Sequence, residues 1–204
     1  MTYSQFLSKL IIALDKYHVE YMIIGGGSAL LQGFNLTTED IDIYPNDNKT
    51  NNESLILALE SLNYQFTDKE VKDLLSGKDF NQFEEPFPLD IVYYPDGFNS
   101  FNEAKKYLTY SDEGLPLLSI EGIIKSKTAA NRPKDRVVLP LLKDFLYFIT
   151  KGKLKETYSD SDSYYDVPIG YYYADNQTIH RWQLNRNKNW KERIDRGIIG
   201  KYLD

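Results

Sequence analysis

Apolar residues follow helical spacing at the start of the chain and then form short strand-like runs. Residues 3 to 17 carry an amphipathic pattern that predicts a helix. Residues 20 to 24 form an apolar run that predicts a short buried strand ending at three glycines. Ser28 is the predicted N-cap of a short helix over residues 29 to 32. Residues 41 to 44 alternate with period two, which predicts a second strand that stops at Pro45.

Further along, the pattern alternates between polar loops, one more strand and several helices. Residues 46 to 52 are polar and predict a loop, followed by a helix over residues 53 to 62. A third strand is predicted at residues 89 to 94, where Pro95, Asp96 and Gly97 signal a turn. Helical patterns then cover residues 101 to 107, 119 to 130 and 133 to 149. This order indicates an α/β or α+β core with a helical flank.

The last fifty-odd residues differ in composition, so we predict a domain over residues 1–150 and an extension over residues 151–204. The extension predicts a strand at residues 171 to 173 and a helix at residues 190 to 203. Its basic residues alternate with Trp182 and Trp190, which fits either a nucleic-acid groove or, preferably, a helix packed on the core. Those basic residues are Arg181, Arg186, Lys188, Lys191, Arg193, Arg196 and Lys201.

Composition narrows the classes of function. The 204 residues carry a net charge of −6, which argues against nucleic-acid binding through bulk positive charge. The chain has no cysteine and two histidines, so a thiolate site and a multi-histidine zinc site are excluded. A metal would therefore be held by carboxylates, which favours Mg²⁺. No apolar run approaches membrane-spanning length and the N-terminus lacks a secretion signal, so we expect a soluble cytoplasmic protein with no membrane partner.

Three features carry candidate chemistry, and each has a simpler explanation. Residues 25 to 28, Gly-Gly-Gly-Ser, lie between a strand and a helix, where glycines allow a phosphate to approach the backbone; the alternative is a tight turn. Asp40 and Asp42 share one face of a strand, which is either a cation site or a solvated face. Asp90 lies in an apolar strand, where burial needs a charge partner; the alternative is an edge strand or a salt bridge.

Together these features resemble the nucleotidyltransferases of the DNA polymerase beta superfamily, in particular its minimal antibiotic-modifying and toxin-type members. The matching pattern is Gly26-Gly27-Ser28, Asp40-x-Asp42, a later strand acid at Asp90, and a helix and turn at residues 118–135. That last segment contains a lysine in the helix followed by Arg-Pro-Lys-Asp. The resemblance covers roughly residues 20 to 145.

The resemblance implies an α+β fold with a mixed sheet flanked by helices, and a transfer of NMP from an NTP to a hydroxyl acceptor. It implies that Asp40, Asp42 and Asp90 are catalytic and hold Mg²⁺ or Mn²⁺. Candidate acceptors are a small molecule, a tRNA 3′ end or a protein. The implied nucleotide-binding residues are Gly26, Gly27, Ser28, Thr38, Lys127 and Arg132, of which the last two also fit a solvated basic face.

The sequence departs from the family pattern at one point. The family commonly has a basic residue between the Gly-Ser turn and the aspartate pair, and this chain has Asn35 and Leu36 there. The departure leaves open a non-catalytic nucleotide- or partner-binding module on the same fold, including a toxin–antitoxin component. Tyr44, Tyr93 and Tyr94 neighbour the acids and fit core or rim packing better than a ligand-binding wall.

Overall fold

A computed structural model describes residues 3–36, 38, 40–111 and 114–151 of the chain. In this part the fold is α+β, with a mixed six-stranded sheet and seven α-helices. The strands are β1 (Tyr21–Ile23), β2 (Ile41–Pro45), β3 (Phe80–Phe83), β4 (Leu89–Val92), β5 (Leu108–Tyr110) and β6 (Pro116–Leu118). The helices are α1 (Tyr3–Lys16), α2 (Gly25–Leu31), α3 (Lys49–Glu60), α4 (Asp68–Leu75), α5 (Phe101–Ala104), α6 (Ile120–Ala130) and α7 (Pro133–Lys151). A 3₁₀ turn, Lys105–Tyr107, extends α5.

The sheet has the order β3-β4-β2-β1-β6-β5, so β2 and β4 lie in its interior. Strand β2 is antiparallel to β1 and parallel to β4. The β2–β4 register places Ile41 opposite Leu89 and Asp42 opposite Asp90. Because side chains alternate between the two faces of a sheet, this register puts both aspartates on the same face.

The two faces of the sheet pack against different helices. Ile41, Ile43 and Ile91 point into a core shared with α1 and α3. Met22 and Tyr44, which alternate with them, belong to a second core that includes residues of α6 and α7. Asp42 therefore lies on the α6–α7 side of the sheet, between apolar neighbours that fix which way the strand faces.

Most predicted elements are confirmed within a few residues, and two helix starts were wrong. Helix α2 begins at Gly25 and its N-cap is Ile24, so Ser28 lies inside the helix and caps nothing. Helix α3 begins at Lys49, since the Asn48 side chain accepts the backbone N–H of Asn51 and starts the helix inside the expected polar loop. The expected strand at residues 89 to 94 ends at Val92.

The strand and helix predicted at residues 171 to 173 and 190 to 203 lie outside the described residues, as does nearly all of the 151–204 extension. Among the described helices, none combines the length and the apolar composition that a bilayer-spanning segment requires.

Candidate metal and nucleotide site

Three carboxylates from separate stretches of the chain meet at one end of the sheet. Asp40, Asp42 and Asp90 each offer an oxygen, and these oxygens lie within 4.8 Å of one another. Asp42 and Asp90 are brought together by the parallel β2–β4 register. Asp40 immediately precedes β2, and the Thr38 hydroxyl donates a hydrogen bond of 2.9 Å to its Oδ1. The expected juxtaposition of the three acids is thus present.

Among the described residues, no lysine or arginine forms an ion pair with Asp40, Asp42 or Asp90. Asp90 is only 8% exposed, and its Oδ1 has no hydrogen-bond partner among the described residues. Burial, reinforced by Asp40 and Glu84, raises the pKa of Asp90 to about 6. Burial, followed by the charges of Asp40 and Asp90, raises the pKa of Asp42 to about 7. The two alternatives for Asp90 fail, since β4 is an interior strand and no described cation pairs with this carboxylate.

These residues fit a divalent cation. Three carboxylates that repel one another in a partly dry site are stabilised when a cation binds between them. The donor set is all oxygen, which suits a hard ion such as Mg²⁺ or Mn²⁺. The unpartnered Oδ1 of Asp90 supplies a free ligand atom.

A glycine is required beside the triad. Gly25 has a φ of +62°, and a Cβ there would lie 2.9 Å from Asp42 Cγ and still closer to Oδ2. A Cβ at Gly26 would lie 3.1 Å from the Thr38 hydroxyl. These two glycines let the start of α2 approach the acids closely. Gly25 was not among the predicted site residues, although its place directly after a buried strand was a usable signal.

Ser28 has a different role from the one implied by the resemblance. It is fully buried, and its Oγ donates a 2.7 Å hydrogen bond to the carbonyl oxygen of Leu118. Gln32 Nε2 donates to the same carbonyl oxygen at 2.9 Å, and Gln32 Oε1 accepts the backbone N–H of Ile120. Ser28 therefore joins α2 to the end of β6, and its hydroxyl is directed at a backbone carbonyl and not at a ligand.

A basic group faces the triad from the α6–α7 junction. Asp135 is fully buried, and it accepts hydrogen bonds from Lys127 Nζ at 3.0 Å and from Arg132 Nε at 2.7 Å. Asn131 ends α6 in a left-handed conformation, which turns the chain into α7 and brings these residues together. Burial alone would raise the pKa of Asp135, yet the Arg132 and Lys127 hydrogen bonds outweigh it and hold that pKa below its usual value.

Acidic and basic residues line one shared cleft of about 720 Å³. Lys134 also lines it, and its charge, like that of Lys127, favours the ionised form of Asp42. Lys134 is exposed, so its position fits a solvated basic face as well as contact with a ligand in the cleft. Asp135 was noted only as the last residue of the Arg-Pro-Lys-Asp segment and given no role, because its partners become apparent only once the α6–α7 turn is formed.

Seven of the nine predicted site residues line this cleft, and two do not. The seven are Gly26, Thr38, Asp40, Asp42, Asp90, Lys127 and Arg132. Gly27 and Ser28 are buried behind it. Leu36, one of the two residues where the family commonly has a basic side chain, lines the cleft with an apolar one.

The neighbouring tyrosines divide between core and rim. Tyr44 and Tyr93 are 1% exposed and belong to the core, as the packing interpretation expected. Tyr94 is 48% exposed and lines the cleft. Only Tyr94 of the three is therefore available to a ligand.

Comparison with known proteins adds no relative to this picture. No model of a known protein family matches the sequence, and no curated protein gives a significant match. What the chain does must therefore be inferred from the cleft and from the residue pattern that resembles the nucleotidyltransferases.

Proposed function

We propose that this chain is a metal-dependent nucleotidyltransferase of the DNA polymerase beta superfamily. It transfers an NMP from an NTP to a hydroxyl acceptor, for which the candidates are a small molecule, a tRNA 3′ end or a protein. One observation carries the proposal: three carboxylate oxygens within 4.8 Å of one another share a cleft with Lys127, Arg132 and Lys134. Carboxylates bind a divalent metal and basic side chains bind a polyphosphate, so a metal–nucleotide site needs both kinds of residue in one cleft.

The acidic side of the cleft would hold the metal. Asp40, Asp42 and Asp90 are the ligands, and Mg²⁺ or Mn²⁺ bound there supplies neutralisation of the charge that develops on attacking and leaving oxygens. Gly25 lets the Asp42 carboxylate lie directly against the start of α2, because a side chain at position 25 would occupy the place of that carboxylate.

The basic side would bind the β- and γ-phosphates. Lys127 and Arg132 are held in place by Asp135, so their remaining N–H groups are oriented before the nucleotide arrives. Lys134 is exposed at the cleft and adds a third positive charge. Pyrophosphate leaves towards this group as its bond to the α-phosphorus breaks.

The acceptor hydroxyl forms the new bond to the α-phosphorus and must lose its proton. Asp90 is the candidate to receive that proton, because it lines the cleft and its Oδ1 has no hydrogen-bond partner within the described residues.

One feature favours a second candidate, a non-catalytic nucleotide- or partner-binding module. Leu36 gives the phosphate side of the cleft an apolar side chain where the family commonly has a basic residue. A module of this kind, including a toxin–antitoxin component, would still bind metal and nucleotide but would transfer nothing.

The decisive experiment measures nucleotide binding and transfer separately. We expect calorimetry to show NTP binding in Mg²⁺ and none in EDTA, with Asp42→Asn losing binding and the exposed control Asp68→Asn retaining it. Labelled NTP incubated with mixed small molecules, tRNA and proteins then reports transfer. Equal NTP affinity in EDTA would refute the metal site, and binding without transfer to any pool would favour the second candidate.

A further inference from the structure

The three basic side chains that line the described part of the cleft differ in what they are bound to. Lys127 and Arg132 both bind the buried carboxylate of Asp135, at 3.0 and 2.7 Å. Lys134 is exposed, lines the same cleft and forms no ion pair with a described acid. Within the described residues, therefore, two of the three charges are fixed at the α6–α7 turn and the third is not.

The position of Lys134 brings its charge close to the acids of the triad. It is the second residue of α7, directly after the turn that faces the triad. Burial raises the pKa of Asp42 and of Asp90, and the Lys134 charge opposes that rise in both. The Lys127 charge opposes the rise in the pKa of Asp42. Because Asp42 and Asp90 are opposite each other on β2 and β4, a charge that acts on both lies near the pair.

The α2 side of the cleft offers no positive charge. A Cβ at Gly26 would lie 3.2 Å from Leu36 Cδ1 and 3.1 Å from the Thr38 hydroxyl, so these uncharged side chains fill the space beside Gly26. The basic residues among the described lining of the cleft all come from α6, α7 and the turn between them. A phosphate group beside the triad must therefore take any basic contact from the α6–α7 side.

Nucleotidyl transfer makes two different demands on positive charge. The β- and γ-phosphates leave together as pyrophosphate, and fixed donors suit them because their charge is present throughout. The α-phosphoryl oxygens need neutralisation as one bond to phosphorus forms and another breaks. Since Asp42 and Asp90 are metal ligands under the proposed function, the α-phosphate is the part of the nucleotide that lies beside them.

We infer that Lys134 contacts the α-phosphate of the nucleotide, while Lys127 and Arg132 hold the β- and γ-phosphates. The inference rests on the proposed function and divides its basic side into two parts. The Lys134 ammonium donates hydrogen bonds to the non-bridging α-phosphate oxygens. The acceptor oxygen bonds to the phosphorus, its proton passes to Asp90, and pyrophosphate departs with the electrons of the broken bond.

Calorimetry in Mg²⁺ with two probes separates these two parts. One probe is inorganic pyrophosphate, which has no α-phosphate. The other is the α,β-methylene analogue of the NTP that binds most tightly, which has an α-phosphate and is not cleaved there. We expect Lys134→Met to weaken binding of the analogue about tenfold, by the loss of one charge-assisted hydrogen bond, and to leave pyrophosphate binding unchanged. Arg132→Met should weaken binding of both probes.

Lys143→Met is the matched control, because Lys143 is exposed on the same helix and does not line the cleft. Lys134→Arg should keep most of the affinity for the analogue, since it retains the charge. The inference is overturned if Lys134→Met weakens pyrophosphate binding as much as analogue binding, or if Lys134→Met and Lys143→Met bind the analogue equally. A wild-type chain that binds no NTP in Mg²⁺ would instead refute the proposed function on which the inference rests.

Discussion

Buried carboxylates on the two sides of the cleft are in opposite electrostatic states. Asp135 is fully buried, yet Lys127 and Arg132 hold its pKa below the usual value. Asp42 and Asp90 lack a paired cation within the described residues, and their pKa values rise to about 7 and about 6. On the first side the carboxylate is paired with Lys127 and Arg132, and these ion pairs hold α6 and α7 together at their turn. The second side has no such ion pair within the described residues, and under the proposed function a bound divalent cation would supply the missing positive charge.

The largest contrast we expect is that two matched substitutions change the free energy of unfolding in opposite directions. Asp135→Asn should lower the free energy of unfolding by about 2 kcal/mol, because it weakens hydrogen bonds to charged groups. Asp42→Asn should raise it by about 1–2 kcal/mol in metal-free buffer at pH 8, since a repelled carboxylate is removed and solvent screens part of that repulsion. Urea unfolding in EDTA measures both. A loss of stability in both variants would show that the triad is neutralised within the chain.

A smaller effect should distinguish the steric contact between position 25 and the Asp42 carboxylate from backbone strain alone. Gly25→Ala and Gly114→Ala both place a side chain at a positive φ, +62° and +81°, but only the Gly25 Cβ meets the Asp42 carboxylate. We expect each to cost about 1 kcal/mol from strain. Gly25→Ala alone should also weaken Mn²⁺ binding, measured by electron paramagnetic resonance. Equal Mn²⁺ affinity in the two variants would mean that the acids do not depend on this approach.

The pH dependence of the metal-free protein gives the last comparison. Asp42 and Asp90 have raised pKa values when folded, so the folded state binds more protons than the unfolded state between about pH 4 and pH 7. Stability contributed by these protonated groups is therefore lost as the pH rises through about 6 and 7. Thermal unfolding in EDTA should show this decrease, and Mg²⁺ or Asp42→Asn should reduce it. If the stability of Asp42→Asn falls by the same amount over this pH range, the decrease comes from other groups.

The parts of the fold that could be predicted from the sequence are the elements with a clear apolar periodicity. The alternation at Ile41 and Ile43 defined β2 and the side of the sheet that Asp42 faces. The long periodic helices α1, α6 and α7 were also predicted within about two residues of their observed ends. The grouping of Asp90 with Asp40 and Asp42 was implied by the resemblance, because periodicity alone does not predict that β4 pairs with β2.

The missed elements lack a strong apolar pattern. Helix α4 buries only Leu74 among its residues, although its capping box of Thr67 and Glu70 was a readable start signal. Strands β5 and β6 have three residues each, too few for a period to be recognised. The role of Asp135 depends on contacts with Lys127 across a turn, and that of Ser28 on a carbonyl ninety residues away, so neither follows from local sequence.

The parallel register between Asp42 and Asp90 restricts where the chain can change length. A one-residue slip of β4 would carry the Asp90 carboxylate through to the opposite side of the sheet, among the side chains of the α1–α3 core. Insertions in the α3–α4 connection at residues 61 to 67 would leave this pairing untouched, whereas one within β4 would dismantle the triad without removing any of its members. The spacing of these residues is therefore as much a part of the site as their identity.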